Sequence, residues 1–83
     1  MTNENDRNDN NRTKLEFYMD EGIAVHVDLI NKIFYNGKIV KKVKDGVYII
    51  QDQVLGPQHI FLNEIYKVDE FREPKERPKF NNF

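Results

Sequence analysis

Four lysines, Lys38, Lys41, Lys42 and Lys44, fall within seven residues of the stretch FYNGKIVKKVKDGVYIIQD, which runs from Phe34 to Asp52. Ammonium groups at such spacing can meet successive phosphates, and the neighbouring Tyr35 and Tyr48 offer ring faces on which a base can stack. In a regular strand Lys38 and Lys42 share one face, with Lys44 beside the turn at Asp45-Gly46. The same lysines also suit a plainer task, solvating the exterior of a sheet and discouraging edge-to-edge pairing.

Other chemistry is sparse. His26 and His59 are the only histidines, and the chain has no cysteine, which removes disulfides, thiolate catalysis and cysteine-ligated zinc. His26 lies beside Asp28 and reads as a surface histidine; His59 follows a Gly-Pro-Gln loop. The carboxylates Asp20, Glu21, Asp28, Asp52, Asp69 and Glu70 form no recognisable acid–base pair, and neither a nucleophile motif nor a phosphate-cradling glycine loop is present. The expectation is a non-enzyme with no catalytic residue, no metal site and no cofactor.

These residues must be positioned by short strands. From Ile23 to Ile30 the chain alternates, with Val25, Val27 and Leu29 on one side and Ala24, His26 and Asp28 on the other. Asn31-Lys32 suits a turn. Ile33 to Val43 reads as a long second strand, with Gly37 permitting a bulge or a close backbone approach. Asp45-Gly46 is a two-residue hairpin turn. Val47 to Gln53 forms a third strand, with Val47 and Ile49 on one face and Tyr48 and Ile50 on the other. Leu55-Gly-Pro-Gln58 reads as a loop, because Gly-Pro stops a ladder. His59 to Leu62 and Ile65 to Asp69 are the last strands, broken at Asn63-Glu64 by a single 3₁₀ turn, with Glu64 placed either to cap it or to accept a hydrogen bond from a neighbour's edge. Ahead of them, Thr13 to Gly22 reads as a two-turn helix: Thr13 caps it, Glu16 completes a capping box and Gly22 ends it. An extended segment through Phe17, Tyr18 and Met19 is the competing reading.

The 83 residues allow one domain. Residues 1–12 hold no apolar side chain after Met1, and five of the twelve are Asn. They read as a disordered tail, and so do residues 73–83, which are charged and carry two prolines. The folded part is then residues 13–72. A domain of that size buries only about 60% of its unfolded surface, so self-association is a natural source of extra stability. The net charge of −1 divides into −1 over residues 1–12, −2 over 13–71 and +2 over 72–83. That balance argues against a non-specific duplex binder and leaves room for local basic patches. No run approaches the roughly eighteen apolar residues of a membrane span, nor is there a signal-peptide core. The expected location is the cytoplasm.

A helix followed by five short, bent strands suggests a small barrel. The stretch VHVDLINKIFYNGKI, Val25 to Ile39, resembles the first motif of Sm-like proteins, and HIFLNEIYKV, His59 to Val68, resembles their second. The resemblance spans about residues 13–70 and points to a divergent, archaeal-type member of the LSm/Hfq class. Two motif positions depart from it. The Sm Asp–Asn pair is reduced to Asp45, two residues late from Gly37, and the Lys-His pair of Hfq is replaced by Leu62 and Asn63.

The resemblance implies a mainly β, five-stranded, strongly bent barrel that assembles edge to edge into a ring of six or seven copies and binds single-stranded RNA. The implied contact set is Tyr35, Lys38, Lys41, Lys42, Lys44, Asp45 and Tyr48. The implied oligomer interface is His59, Ile60, Phe61, Leu62, Ile65, Tyr66 and Val68. A second reading is a protein-assembly barrel that uses its strand edges and the C-terminal tail, whose Phe80 and Phe83 could dock in a partner's groove.

Overall fold

The computed structural model describes residues 4–72. The chain folds as helix α1 (Glu4–Glu21), strands β1 (Val25–Leu29), β2 (Phe34–Lys44), β3 (Val47–Asp52) and β4 (Gly56–Phe61), a 3₁₀ turn (Leu62–Glu64) and strand β5 (Ile65–Glu70). The strands form one antiparallel sheet in the order β4-β3-β2-β1-β5. The expected mainly β class, the count of five strands and the leading helix are all present. No helix among the described residues is long and apolar enough to cross a membrane. The expected C-terminal tail lies outside the described residues.

The helix departs most from expectation. It begins at Glu4, inside the segment read as a disordered tail, and Thr13 sits in its interior rather than at its N-cap. The Thr13 hydroxyl donates back to the Asp9 carbonyl at 3.0 Å, as threonine does within a helix. Two turns alone would not hold. The added length brings side chains that bond the sheet: Asn11, 4% exposed, donates its amide to the Ile65 carbonyl at 3.2 Å. The helix ends as its sequence suggests. Gly22 has φ 68°, and the N–H groups of Gly22 and Ile23 return to the carbonyls of Met19 and Tyr18 at 3.2 and 2.9 Å, a Schellman cap.

Strand alternation dictates the core. Val25, Val27 and Leu29 point inward from β1, Tyr48 and Ile50 from β3, Ile60 from β4, and Ile65 and Val68 from β5. Leu15 of α1 closes the group and is fully buried, with Tyr18 and Met19 packed at its margin.

Two local readings change. Gly56 and Pro57 do not stop the ladder but open β4, paired with Asp52 and Gln51 of β3. Proline is tolerated there because β4 is an edge strand. The Leu62 N–H bonds the Gly46 carbonyl across to the hairpin turn, so alternation along β4 aims the nitrogen of Pro57 away from β3, where no donor is needed. Gly37 does mark a close approach, although the irregularities of β2 lie further on, between Ile39 and Lys41 and between Lys42 and Lys44.

A Cβ at Gly37 would stand 1.8 Å from the Gln51 carbonyl oxygen, a main-chain atom that cannot step aside. Gly37→Ala is expected to cost about 3 kcal/mol, the upper end for overpacking. At Gly56 a Cβ meets nothing within 4 Å and only the φ of 82° opposes it, so Gly56→Ala is expected to cost about 1 kcal/mol. Urea denaturation of the two variants checks the order; equal losses would contradict it.

Candidate nucleic-acid interface

The register of β2, β3 and β4 decides where the lysines go. Lys38 pairs with Gln51, Lys41 with Ile49, and Lys44 with Val47. Those three β3 residues pair in turn with Pro57, His59 and Phe61 of β4. Paired residues share a face of the sheet. The intervening rungs, Ile39–Ile50–Gln58 and Lys42–Tyr48–Ile60, hold the buried Ile39, Ile50, Tyr48 and Ile60, so they face the core. Lys38, Lys41 and Lys44 therefore line up on the outer face. All three are exposed, and none takes part in an ion pair among the described residues.

This differs from the regular-strand expectation, in which Lys38 and Lys42 share a face. The two register shifts of β2 set Val40 and Val43 outside the ladder. Each extra residue offsets the period of two, and lysines three apart come to the same side. Val40 and Val43 are exposed, as unpaired bulge residues at a surface would be.

Lys42 is turned to the opposite side and is held there. Its ammonium donates to Glu16 of α1 at 2.8 Å and stands 5.9 Å from the centre of the Tyr48 ring. The Tyr48 hydroxyl donates to the same Glu16 oxygen at 2.7 Å. Burial, then the bond to Glu16, pushes the Tyr48 phenol well above its ordinary range. The Lys42 and Tyr48 bonds hold the Glu16 carboxyl below the usual carboxylate range. Tyr48 is 0% exposed, so it is a core residue and no stacking platform. Tyr35 pairs with the buried Val27 and packs at the margin of the core, so it too leaves the lysine face. Asp45 is tied to Arg12 of α1.

Of the seven expected contact residues, only Lys38, Lys41 and Lys44 stand together and free. The aromatic group that joins them is Phe61, with His59 beside it, two residues of the expected oligomer interface. That interface set is itself divided. Ile60, Leu62, Ile65 and Val68 are core residues at 4% exposure or less, which leaves only His59, Phe61 and Tyr66 with side chains at the surface. A periodicity of three in the lysines, with valines between, is the one signal in the sequence for the bulged register.

At the end of the lysine row a groove of about 280 Å³ lies between α1, the hairpin turn and the 3₁₀ turn. Asn8, Asp45, Phe61 and Asn63 are among its lining residues. The Asn8 side-chain oxygen is buried without a hydrogen-bond partner. Further along the same outer face, on β1, His26 is more constrained than a simple surface histidine. Its Nδ1 lies 2.5 Å from the Asn36 side-chain oxygen and its Nε2 lies 3.0 Å from Asp28. The Phe34 ring packs 5.2 Å away, centre to centre. No cluster of His, Asp or Glu able to hold a metal occurs among the described residues. Glu64 does not act as the expected cap: the 3₁₀ turn has no side-chain cap bond, and it is the Glu64 carbonyl that accepts the Ile30 N–H at 2.9 Å, tying the turn to the end of β1. No protein-family model matches the chain, and no curated protein matches it.

Asp52 secures the far end of the hairpin. Its carboxylate accepts the N–H groups of Leu55, Asn36 and Val54, each at 2.9 Å, and these bonds hold it below the usual carboxylate range. Glu16 and Asp52 are both lowered by folding. Their contribution is therefore complete above the unfolded carboxylate value and is lost as pH falls through the folded value. Thermal melts are expected to give a flat Tm from about pH 7 to 5 and a fall below about pH 4. Glu16→Gln should reduce that slope, and Asp52→Asn should cost about 2 kcal/mol at neutral pH. A Tm that rises on acidification would contradict this assignment.

Proposed function

We propose that this chain is a non-catalytic, Sm-like module that binds single-stranded RNA and works as a homo-oligomeric ring. The observation that carries the reading is the outer row of Lys38, Lys41 and Lys44, unpaired among the described residues and flanked by the Ile49, His59 and Phe61 side of β3 and β4. Successive rungs on one face are about 7 Å apart, a repeat on the scale of one nucleotide of an extended strand. The ammonium groups take phosphates, and Phe61 with His59 offers surfaces against which bases can pack. The groove beyond Lys44 continues the path. The amides of Asn8 and Asn63 can bond the edge of a base there, and the unpartnered Asn8 oxygen has an acceptor position to fill.

The element order, with a helix first, a glycine at a close strand crossing and a 3₁₀ turn before the last strand, supports the Sm-like reading. The sheet ends in β4 on one side and β5 on the other. A head-to-tail pairing of unlike edges closes a ring when its rotation closes.

The assembly-module reading has its own support in the groove of about 510 Å³ beside the β1–β2 turn, where Ile30 and Tyr66 are more than half exposed. Partner capture that depends on Ile30 and Tyr66 but not on the lysines would favour it.

Short oligo-U and oligo-A titrated at low salt are expected to move the amide signals of residues 38, 41, 44, 49, 59 and 61. Lys41→Glu should weaken binding about tenfold or more. Each lysine lost should reduce the salt dependence by roughly 0.7 in log–log slope. Unmoved signals on this face would overturn the RNA reading.

A further inference from the structure

The two ends of the sheet are not equivalent. The Phe71 N–H bonds the Ala24 carbonyl at 2.9 Å, toward the β1 side. Alternation then turns the main-chain groups of Val68 and Glu70 away from β1, onto the outer edge of the sheet. An uncovered edge of this kind is a template for another strand. Here it is covered by side chains of α1, which packs chiefly on β5, β2 and the 3₁₀ turn. The Lys14 ammonium donates to the Val68 carbonyl at 3.1 Å. One turn earlier, the Asn11 amide reaches the carbonyls of Ile65 and Tyr66 at 3.2 and 3.5 Å.

We propose that Lys14, seated by Asn11, is a guard on the β5 edge, and that a second copy of this chain adds its β4 strand to β5 only when Lys14 lets go. The two contacts have different roles. Asn11 is buried and fixed, so it anchors that turn of the helix. Lys14 is 39% exposed, and a second acceptor lies close by: the Asp69 carboxylate, 3.7 Å from its ammonium. Moving from the carbonyl to the carboxylate keeps the ammonium paired and frees Val68, so the guard can open without unfolding the helix.

A β4 strand is the occupant that fits. It forms the other end of the same sheet and has the same length as β5, six residues. Its outward main-chain positions are 57, 59 and 61; Pro57 has no N–H to donate, so the donors of this edge are the N–H groups of His59 and Phe61. The identity of this occupant rests on the ring reading, whereas the guard itself rests on the α1–β5 contacts.

The test is solution mass by light scattering over a concentration series of the full chain, comparing wild type with Lys14→Met and Lys14→Gln. Met keeps the packing of the half-buried stem and removes the donor, and circular dichroism confirms that each variant is folded. The expected result is that Lys14→Met assembles at a concentration at least tenfold lower than wild type, with Lys14→Gln, which retains an amide donor, between them. If wild type and Lys14→Met assemble at the same concentration, the guard is overturned and the ring stands. If no variant assembles at any concentration, edge addition is overturned together with the ring, and RNA binding by the lysine face remains to be judged by titration.

Discussion

Two extra residues in one strand decide what this molecule presents to its surroundings. Without Val40 and Val43 outside the ladder, β2 would alternate strictly. Lys38, Lys42 and Lys44 would then share a face, and Lys41 would fall on the other. With them, Lys42 is delivered to the helix side, where Glu16 and Tyr48 can receive it, while Lys38, Lys41 and Lys44 face solvent together. The same irregularities increase the local twist of the strand, as a five-stranded sheet must twist to wrap a core this small. Charge placement and curvature thus come from one local departure from the ideal ladder.

The helix completes what the bulges begin. Its second half contributes the fully buried Leu15, with Tyr18 and Met19 at the margin of the core, and polar contacts add to these: Asn11 and Lys14 to β5, Glu16 to Lys42 and Tyr48, and Arg12 to Asp45. The first half of a helix docked this way carries no apolar stripe. That is why residues 4–12, rich in Asn and Asp, read as a tail although the chain winds them into the first half of α1. Periodicity reports burial of apolar surface, and it is silent where order comes from side-chain amides bonding strand carbonyls.

Much of the sheet was legible. Val25, Val27 and Leu29 alternate as a half-buried strand should, Asp45-Gly46 turns the hairpin, Gly37 marks a backbone approach that no Cβ could survive, and Leu62–Glu64 forms the expected break. Register was harder to read. A bulge has no residue requirement strong enough to announce it, so the faces of Lys41 and Lys42 are reversed from those of a regular strand, whereas Tyr48 on the regular β3 lies beside Ile50 as its alternation implies. Pro57 misled for a related reason: it forbids a donor, not a strand, and at an edge the missing donor faces outward. The candidate site was therefore half visible, its lysines by composition and its aromatic partner Phe61 only once β3 and β4 were in register.

The account's central claim is that the lysines are divided between two faces. Lysine reactivity tests it most directly: brief acetylation of the folded protein, read residue by residue by mass spectrometry, with and without a single-stranded oligonucleotide. The account predicts that Lys38, Lys41 and Lys44 react fast in the free protein and are protected by the oligonucleotide, while Lys42, held by Glu16, reacts slowly in both. Equal reactivity of Lys41 and Lys42 in the free protein would contradict the division on which the proposed interface is built.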